Sequence, residues 1–333
     1  MPKNFKIISP MSKGNGAYVV HKMIEEHVGG YKVCGYNPRW EYFPPALPFL
    51  FRNSKPNLIH TTPDYAIFYH SKRVPLVLTF HRNVLDQSIR PFNSLIQNLH
   101  YATDLHLLTQ LAVKRAQAIT SVSFFTAKLA RRDLNIDRPV RVIYNGIDTT
   151  RFYPSKSTSL GREVRVFFSG NLTRRKGYQW LHLISLKLKN NVKIYYTQGL
   201  RTRNKLKNWQ GLQTVGAIVY DKMPNFYNKM DIILHPSVRE AFGLSIAEGM
   251  ACGLPVVASD CSAIPELIDH GKGGFLCPVG DVDAFAERIN QLADSPGLRK
   301  EMGEYNRAKV EKYFTLERMV SEYREIFEEV LDR

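Results

Sequence analysis

Residues 235–266 read HPSVREAFGLSIAEGMACGLPVVASDCSAIPE, and this stretch decides the fold. The apolar run 231–235 predicts a strand. A loop carrying Glu240 and Gly243 follows, then a helix from about Leu244, and Gly253 stops that helix before a second strand at 255–258. Strand, loop, helix and strand in this order make a βαβ unit, the building block of a parallel sheet. The spacing sets Glu240 just beyond the carboxyl end of a strand and Glu248 about one turn inside the helix. Open α/β sheets bind ligands at that edge. A helix N-terminus there favours phosphate, and ionised carboxylates accept hydrogen bonds from sugar or ribose hydroxyls.

The same alternation extends in both directions. Upstream, strands are expected at 5–8, 57–60, 75–80, 118–122 and 141–143. A helix is expected over 17–27, a long amphipathic segment over 94–115, and another helix after Phe124. The pattern restarts with strands at 165–168 and 192–196 and a helix over 178–189. Between the halves, 151–162 is polar and carries Pro154, Ser155, Ser157 and Ser159, the composition of a linker. Two α/β halves follow, 1–152 and 153–314. Leu316, Met319, Val320, Tyr323, Ile326, Phe327, Val330 and Leu331 then recur at helical spacing. The apolar face of this closing helix, 315–333, is expected to pack back on the first half.

Composition narrows the function. The chain has 333 residues, 44% of them hydrophobic and 23% charged, which excludes a wholly disordered, collagen-like or coiled-coil protein. Four cysteines without a Cys-x-x-Cys pair give no support to a zinc ribbon, a thioredoxin site or a disulfide framework. Reduced thiols and a cytoplasmic location are the plain reading. No apolar run reaches 18 residues, and residues 1–10 lack the features of a signal peptide. The net charge is +16, distributed as +10 over 1–150, +13 over 151–207 and −7 over 208–333. So basic a first half calls for an anionic partner: a nucleotide, a nucleic acid or an acidic membrane surface.

Three further motifs could carry chemistry. Gly170-Asn171-Leu172-Thr173-Arg174-Arg175-Lys176-Gly177 follows a strand, and its cations and amides would neutralise a diphosphate. It is not a P-loop, because no Gly-Lys-Ser/Thr occurs. Gly14-Asn15-Gly16 follows the first strand, where glycines let backbone approach a ligand or simply turn. His81 closes the strand ending Thr79-Phe80. A fourth string, Asp281-Val282-Asp283, imitates a metal-binding Asp-x-Asp, yet it opens a helix after Gly280 and reads as a cap.

Together these motifs resemble the retaining glycosyltransferases of family 4. Glu240 and Glu248 match that family's Glu-x7-Glu, and the flanking Pro-Ser, Phe-Gly, Met-Ala-Cys-Gly, Pro-Val-Val and Pro-Glu elements match as well. Asn145-Gly146-Ile147-Asp148 resembles the segment that closes the family's first domain. The resemblance implies the GT-B fold, α/β with two facing Rossmann-like domains, parallel sheets and an inter-domain cleft. The first domain would bind the acceptor and the second a nucleotide-sugar donor, UDP- or GDP-linked. It implies catalytic roles for Glu240, His81 and Lys176. It assigns donor contacts to Gly14, Gly16, Gly170, Asn171, Arg175, Lys176, Phe242, Gly243, Leu244 and Glu248. Asn171 stands where the family has arginine, so Arg174 or Arg175 would have to substitute. No metal or other cofactor is expected. The acceptor would be a glycan or lipid-linked glycan of the cell envelope, as in polysaccharide or lipopolysaccharide assembly. The basic first half, with the aromatic and apolar residues of 40–51, points to a peripheral position on an anionic membrane surface.

Other classes stay open at this stage. A sugar-nucleotide epimerase can share the fold, and would make an epimer from donor without acceptor. Nucleic-acid binding would fit the charge, but no helix-turn-helix, zinc-finger or RNA-recognition signature is present, so no specific nucleic acid is expected. A silent member that only binds nucleotide would show binding without turnover.

Overall fold

The computed structural model describes residues 4–51, 54–69, 73–82, 86, 91, 94–155, 163–198 and 209–332. Apolar runs alternating with helices form two six-stranded sheets, each wholly parallel. The first comprises β1 (Ile7–Ser12), β2 (Tyr31–Tyr36), β3 (Leu58–Thr61), β4 (Leu76–Phe80), β5 (Ala118–Ser121) and β6 (Arg141–Val142). Its order is β2-β1-β3-β4-β5-β6. Helices α1 (Gly16–His27), α2 (Ala66–Tyr69), α3 (Leu95–Ala102), α4 (Asp104–Arg115) and α5 (Phe124–Leu134) connect these strands. Every residue of β3 and β4 is buried, as parallel strands covered on both faces must be.

The second sheet comprises β7 (Val164–Phe168), β8 (Val192–Thr197), β9 (Leu212–Gly216), β10 (Ile232–His235), β11 (Val256–Ser259) and β12 (Gly274–Cys277). Its order, β12-β11-β10-β7-β8-β9, is the doubly wound arrangement of dinucleotide-binding domains. The associated helices are α6 (Leu181–Ser185), α7 (Met223–Tyr227), α8 (Leu244–Ala251), α9 (Ile264–Leu267), α10 (Val282–Asp294) and α11 (Pro296–Tyr313). The chain ends in α12 (Leu316–Leu331).

These elements form two compact units, Met1–Gly146 with Leu316–Arg333, and Ile147–Thr315. The boundary drawn at 152/153 from the sequence thus moves to 146/147. The reason is local. Ile147 N–H donates to Phe314 O at 2.8 Å. Phe152 is fully buried, its ring 5.7 Å from Tyr220 and 6.0 Å from Tyr227, and Arg307 donates to its carbonyl at 2.6 Å. The segment read as a linker therefore begins inside the second unit, and its residues 156–162 lie outside the described residues. Helix α12 belongs to the first unit. It buries Leu316, Met319, Val320, Tyr323, Ile326, Phe327 and Val330. Phe327 meets Phe5 at 6.3 Å, Tyr31 at 5.8 Å and His60 at 5.2 Å between ring centroids.

Several elements differ from expectation. Strands β2, β9 and β12 were not anticipated, and each lies at a sheet edge. The amphipathic segment 94–115 is two helices, because Thr103 (φ −109°, ψ −97°) leaves helical geometry between them. The helix expected at 178–189 begins as a 3₁₀ turn at Tyr178–Trp180, and α6 is only 5 residues long. Among the described residues no helix is long and apolar enough to cross a membrane.

Because α12 closes the first unit's core, Phe327→Ala should cost that unit about 3–5 kcal/mol, the usual cost of emptying a buried aromatic site. Native-state hydrogen exchange should show the largest loss of protection in β1, β3 and β4, with β10 and β11 less affected. Equal loss in both sheets would show that the helix does not serve the first unit in particular.

Candidate active site

In the second sheet the winding reverses between β7 and β10, and ligands bind beyond the carboxyl ends of strands at such a switch point. The loops leaving these two strands are locked together. Gly177 has φ +78°, and a Cβ there would sit 2.0 Å from the Pro236 carbonyl oxygen, so only glycine lets the loops approach this closely. Val238 N–H donates to Arg175 O at 2.9 Å, and the Arg175 guanidinium donates to Arg239 O at 2.7 Å.

This contact brings the two motifs face to face. Lys176 Nζ donates to Glu240 Oε1 at 2.6 Å. Arg175 lies 3.7 Å from the same oxygen, and His235 Nε2 lies 3.2 Å away. Glu240 is only 7% exposed. Burial alone would raise its carboxyl, but the Lys176 ammonium, His235 and Arg175 outweigh this and hold it well below the usual range. Burial, with the Lys176 charge nearby, keeps His235 neutral below its ordinary value. A neutral His235 facing an ionised carboxylate must donate from Nε2. Gly170 (φ +156°) lies beside the Lys176 stem, and its N–H donates to Thr197 Oγ1 at 2.9 Å.

Glu248 lies in the same loop-and-helix unit. Gly243, left-handed at φ +104°, is the N-cap of α8 and supplies no side-chain cap; Ile246 N–H donates to its carbonyl at 2.9 Å, which leaves the Leu244 and Ser245 amides at the helix start to face an anion. Leu244 opens the helix. Phe242 turns its buried ring edge-on to Phe314 at 5.8 Å, which leaves its backbone as what it could offer a ligand. One turn on, Glu248 is 7% exposed and accepts from the Tyr227 hydroxyl at 2.8 Å. Burial pushes the Glu248 carboxyl up to about 7. The two glutamates therefore differ in charge: Glu240 is held ionised by cations, while Glu248 at neutral pH is divided between its charged and neutral forms.

The remaining predicted residues gather in the first unit, again at a switch point, between β1 and β3. Gly14 (φ +78°) turns the chain out of β1, and Asn15 caps α1 by accepting from Tyr18 N–H at 2.7 Å. Gly16 opens that helix. From its second turn His21 reaches His81, beyond β4, with 2.9 Å between the Nε2 atoms.

The structure thus brings together Glu240, Lys176 and Arg175, with Glu248 farther along the chain, in α8. Of the two arginines before the lysine, Arg175 turns to Glu240, while Arg174 is exposed. Asn171 sits in this loop and its carbonyl accepts from Thr173 N–H at 2.8 Å. Sequence reasoning missed Tyr227, His235 and His21. His235 was visible as the last residue of the decisive strand; Tyr227 and His21 carried no local signal. Asp281 accepts from Ala284 N–H at 3.0 Å as the cap of α10, and Asp283 pairs with Lys187. Among the described residues no group of three or more His, Cys, Asp or Glu is placed to hold a metal ion.

Comparison with known proteins agrees with this architecture. Residues 5–151 match the family described as Glycosyltransferase Family 4, and residues 163–295 match Glycosyl transferases group 1. N-acetyl-alpha-D-glucosaminyl L-malate synthase of Bacillus anthracis is 27% identical over 241 residues, 68% of this chain and 63% of that protein. Sulfoquinovosyl transferase SQD2 of Arabidopsis thaliana is 26% identical over 290 residues, 78% of this chain but 54% of its own length. The chain thus spans less than two thirds of either relative. Sucrose-phosphate synthase from Thermosynechococcus elongatus superimposes with TM-score 0.81 at 17% identity, covering 98% of this chain and 99% of the other. Anabaena Alr3699/HepE in complex with UDP-glucose gives 0.78 at 21% identity, covering 98% and 100%.

Glu248 generates a pH signature. Its carboxyl ionises near pH 4.5 when unfolded and near 7 when folded, so between these values the folded state holds the extra proton. Stability from this group is fully present below about 4.5 and is lost as pH rises through about 7, by about 3 kcal/mol. The buried histidines act oppositely below about 6.5, so the comparison must be with Glu248→Gln. Urea unfolding from pH 5 to 8 should show wild type losing stability relative to Glu248→Gln. Parallel curves would remove the shift.

Proposed function

This chain belongs to the family 4, group 1 glycosyltransferases of GT-B fold, and we propose that it moves a sugar from a UDP-linked donor to a hydroxyl of a glycan or lipid-linked glycan, retaining the anomeric configuration without a metal. The observation that carries the reading is the Lys176–Glu240 pair at the β7/β10 switch point beside the N-terminus of α8. Lys176, Arg175 and the α8 amides supply positive charge for a diphosphate, and Lys176 has donors left after bonding Glu240. Gly170, Asn171 and Gly243 let backbone approach it. Ionised Glu240 accepts from hydroxyls of the donor sugar. Glu248, partly protonated at neutral pH, can accept from or donate to ribose hydroxyls.

Transfer breaks the bond between the anomeric carbon and the diphosphate oxygen and forms one to the acceptor oxygen. The acceptor proton passes to the departing phosphate, so Glu240 need not become a covalent nucleophile. Negative charge grows on the leaving group, and fixed cations and helix amides stabilise that growth more than the ground state. His81, Gly14 and Gly16 of the first unit serve the sugar and phosphates. The choice of UDP draws on the UDP-glucose complex of HepE, and the lipid-linked acceptor on the exposed Trp40, Tyr42, Phe43, Phe49 and Leu50 in a basic unit. Such a surface suits a peripheral position on an anionic membrane.

Calorimetry with UDP, GDP and ADP, and with their sugar conjugates, tests the reading. UDP should bind wild type and weaken at least tenfold in Glu248→Ala. Lys176→Ala should lower kcat/KM by on the order of 10²-fold, the loss typical of removing a group that stabilises developing charge. No binding of any nucleotide at millimolar concentration would overturn the proposal.

A further inference from the structure

Beneath His81 the first unit buries an unbroken chain of hydrogen bonds. His21 Nε2 lies 2.9 Å from His81 Nε2. His21 Nδ1 lies 2.7 Å from Ser9 Oγ and 2.8 Å from the Tyr31 hydroxyl. That hydroxyl lies 2.7 Å from His60 Nδ1, and His60 Nε2 lies 2.7 Å from Thr79 Oγ1. Thr79 Oγ1 meets Thr120 Oγ1 at 2.6 Å, and Thr120 Oγ1 donates to Leu78 O at 3.3 Å. Ser9, His21, His60, Thr79 and Thr120 are fully buried, whereas His81 is half-buried. Six elements contribute: β1, α1, β2, β3, β4 and β5. A solvent-filled core would need none of this, and an apolar core would be simpler to build.

Counting protons gives the chain a direction. Thr120 gives its proton to Leu78 O, so it can only accept from Thr79. With its own proton given to Thr120, Thr79 then accepts from His60 Nε2–H and, at 3.3 Å, from the Tyr323 hydroxyl. A neutral imidazole carries one N–H, and burial drives both His21 and His60 well below the ordinary histidine range. His60 Nδ1 is therefore an acceptor and Tyr31 O–H donates to it. The Tyr31 oxygen accepts from His21 Nδ1–H, which the Ser9 oxygen shares. His21 Nε2 is left with a lone pair and accepts from His81 Nε2–H.

We propose that this chain is a positioning relay that fixes the proton of His81 on Nε2 and so offers Nδ1 as a hydrogen-bond acceptor to a hydroxyl of the transferred sugar. Among the described residues no partner bonds that Nδ1. The inference rests on the reading that sugar transfer uses His81. It adds that His21, Tyr31, His60 and Thr79 act through His81. It also sets a specificity: the hydroxyl at His81 must donate, so a sugar carrying a methoxy group there loses the contact.

Imidazole ¹⁵N labelling with long-range proton–nitrogen correlation reads each tautomer directly, and His81→Gln assigns the His81 signal. Wild type and Thr79→Ser should carry the proton on Nε2. Thr79→Val keeps the shape but removes the acceptor of His60 Nε2–H. The His60 proton then moves to Nδ1, every bond up the chain reverses, and His81 becomes Nδ1–H. With it, kcat should fall at least tenfold while KM for the donor stays within twofold; Thr79→Ser restores both. Tyr31→Phe cuts the chain midway and should give both His81 tautomers. The proposal is overturned if wild-type His81 carries its proton on Nδ1, if Thr79→Val leaves it on Nε2, or if the tautomer inverts without loss of kcat. Absence of transfer by wild type from any nucleotide sugar would instead overturn the functional reading, because the spectra report the relay without turnover.

Discussion

The Lys176 ammonium and the Glu240 carboxylate, 2.6 Å apart and largely removed from water, are the constraint around which the second unit is arranged. Neither charge is tolerable there alone. Removing one partner of a buried pair typically costs about 3–5 kcal/mol, although the intact pair gains little over a well-packed apolar substitute. The pair therefore contributes placement rather than stability. It requires the β7 and β10 loops to meet, which requires the doubly wound strand order, and the meeting is close enough to demand glycine at 177. One electrostatic contact thus links strand order, loop conformation and the position of two charged groups.

The two glutamates illustrate how environment separates like residues. Eight positions apart, both are nearly buried, yet one faces cations and the other a tyrosine hydroxyl. The first is committed to its charge. The second sits where a hydroxyl-rich ligand could meet either a donor or an acceptor. Sequence spacing gave both glutamates the same weight, and only their partners distinguish them.

Central elements were legible in the sequence because they are buried on both faces: β4, β10 and β11 are buried at every position and each opens on a run of apolar residues. The three strands that escaped notice, β2, β9 and β12, are all edges. Two of these mix polar and apolar character because an edge is covered less completely; Leu212–Gly216 has two exposed positions and no fully buried one, whereas Gly274–Cys277 is mostly buried but carries no β-branched residue to mark it as a strand. The site divided in the same way. Glu240, Lys176 and the glycines stood out because they lie in short motifs beside strand ends. Tyr227 and His21 did not, because each contacts its partner across more than 20 or about 60 residues of chain. The compact units divide at 146/147 rather than 152/153, because Tyr220 and Tyr227 surround Phe152.

The return of α12 to the first unit has a consequence for how the chain is made. Tyr323 lies 3.3 Å from Thr79, 244 positions away in sequence, and Phe327 covers Phe5, Tyr31 and His60. A ribosome therefore releases the opening sheet long before the helix that seals it. The second unit is contiguous, Ile147–Thr315, and can fold while synthesis continues. The N-terminal unit must wait with an apolar face uncovered, at a synthesis rate of roughly 5–20 residues per second. Order of emergence and order of completion are inverted, and the half made first is the one that nascent-chain chaperones would have to shield longest.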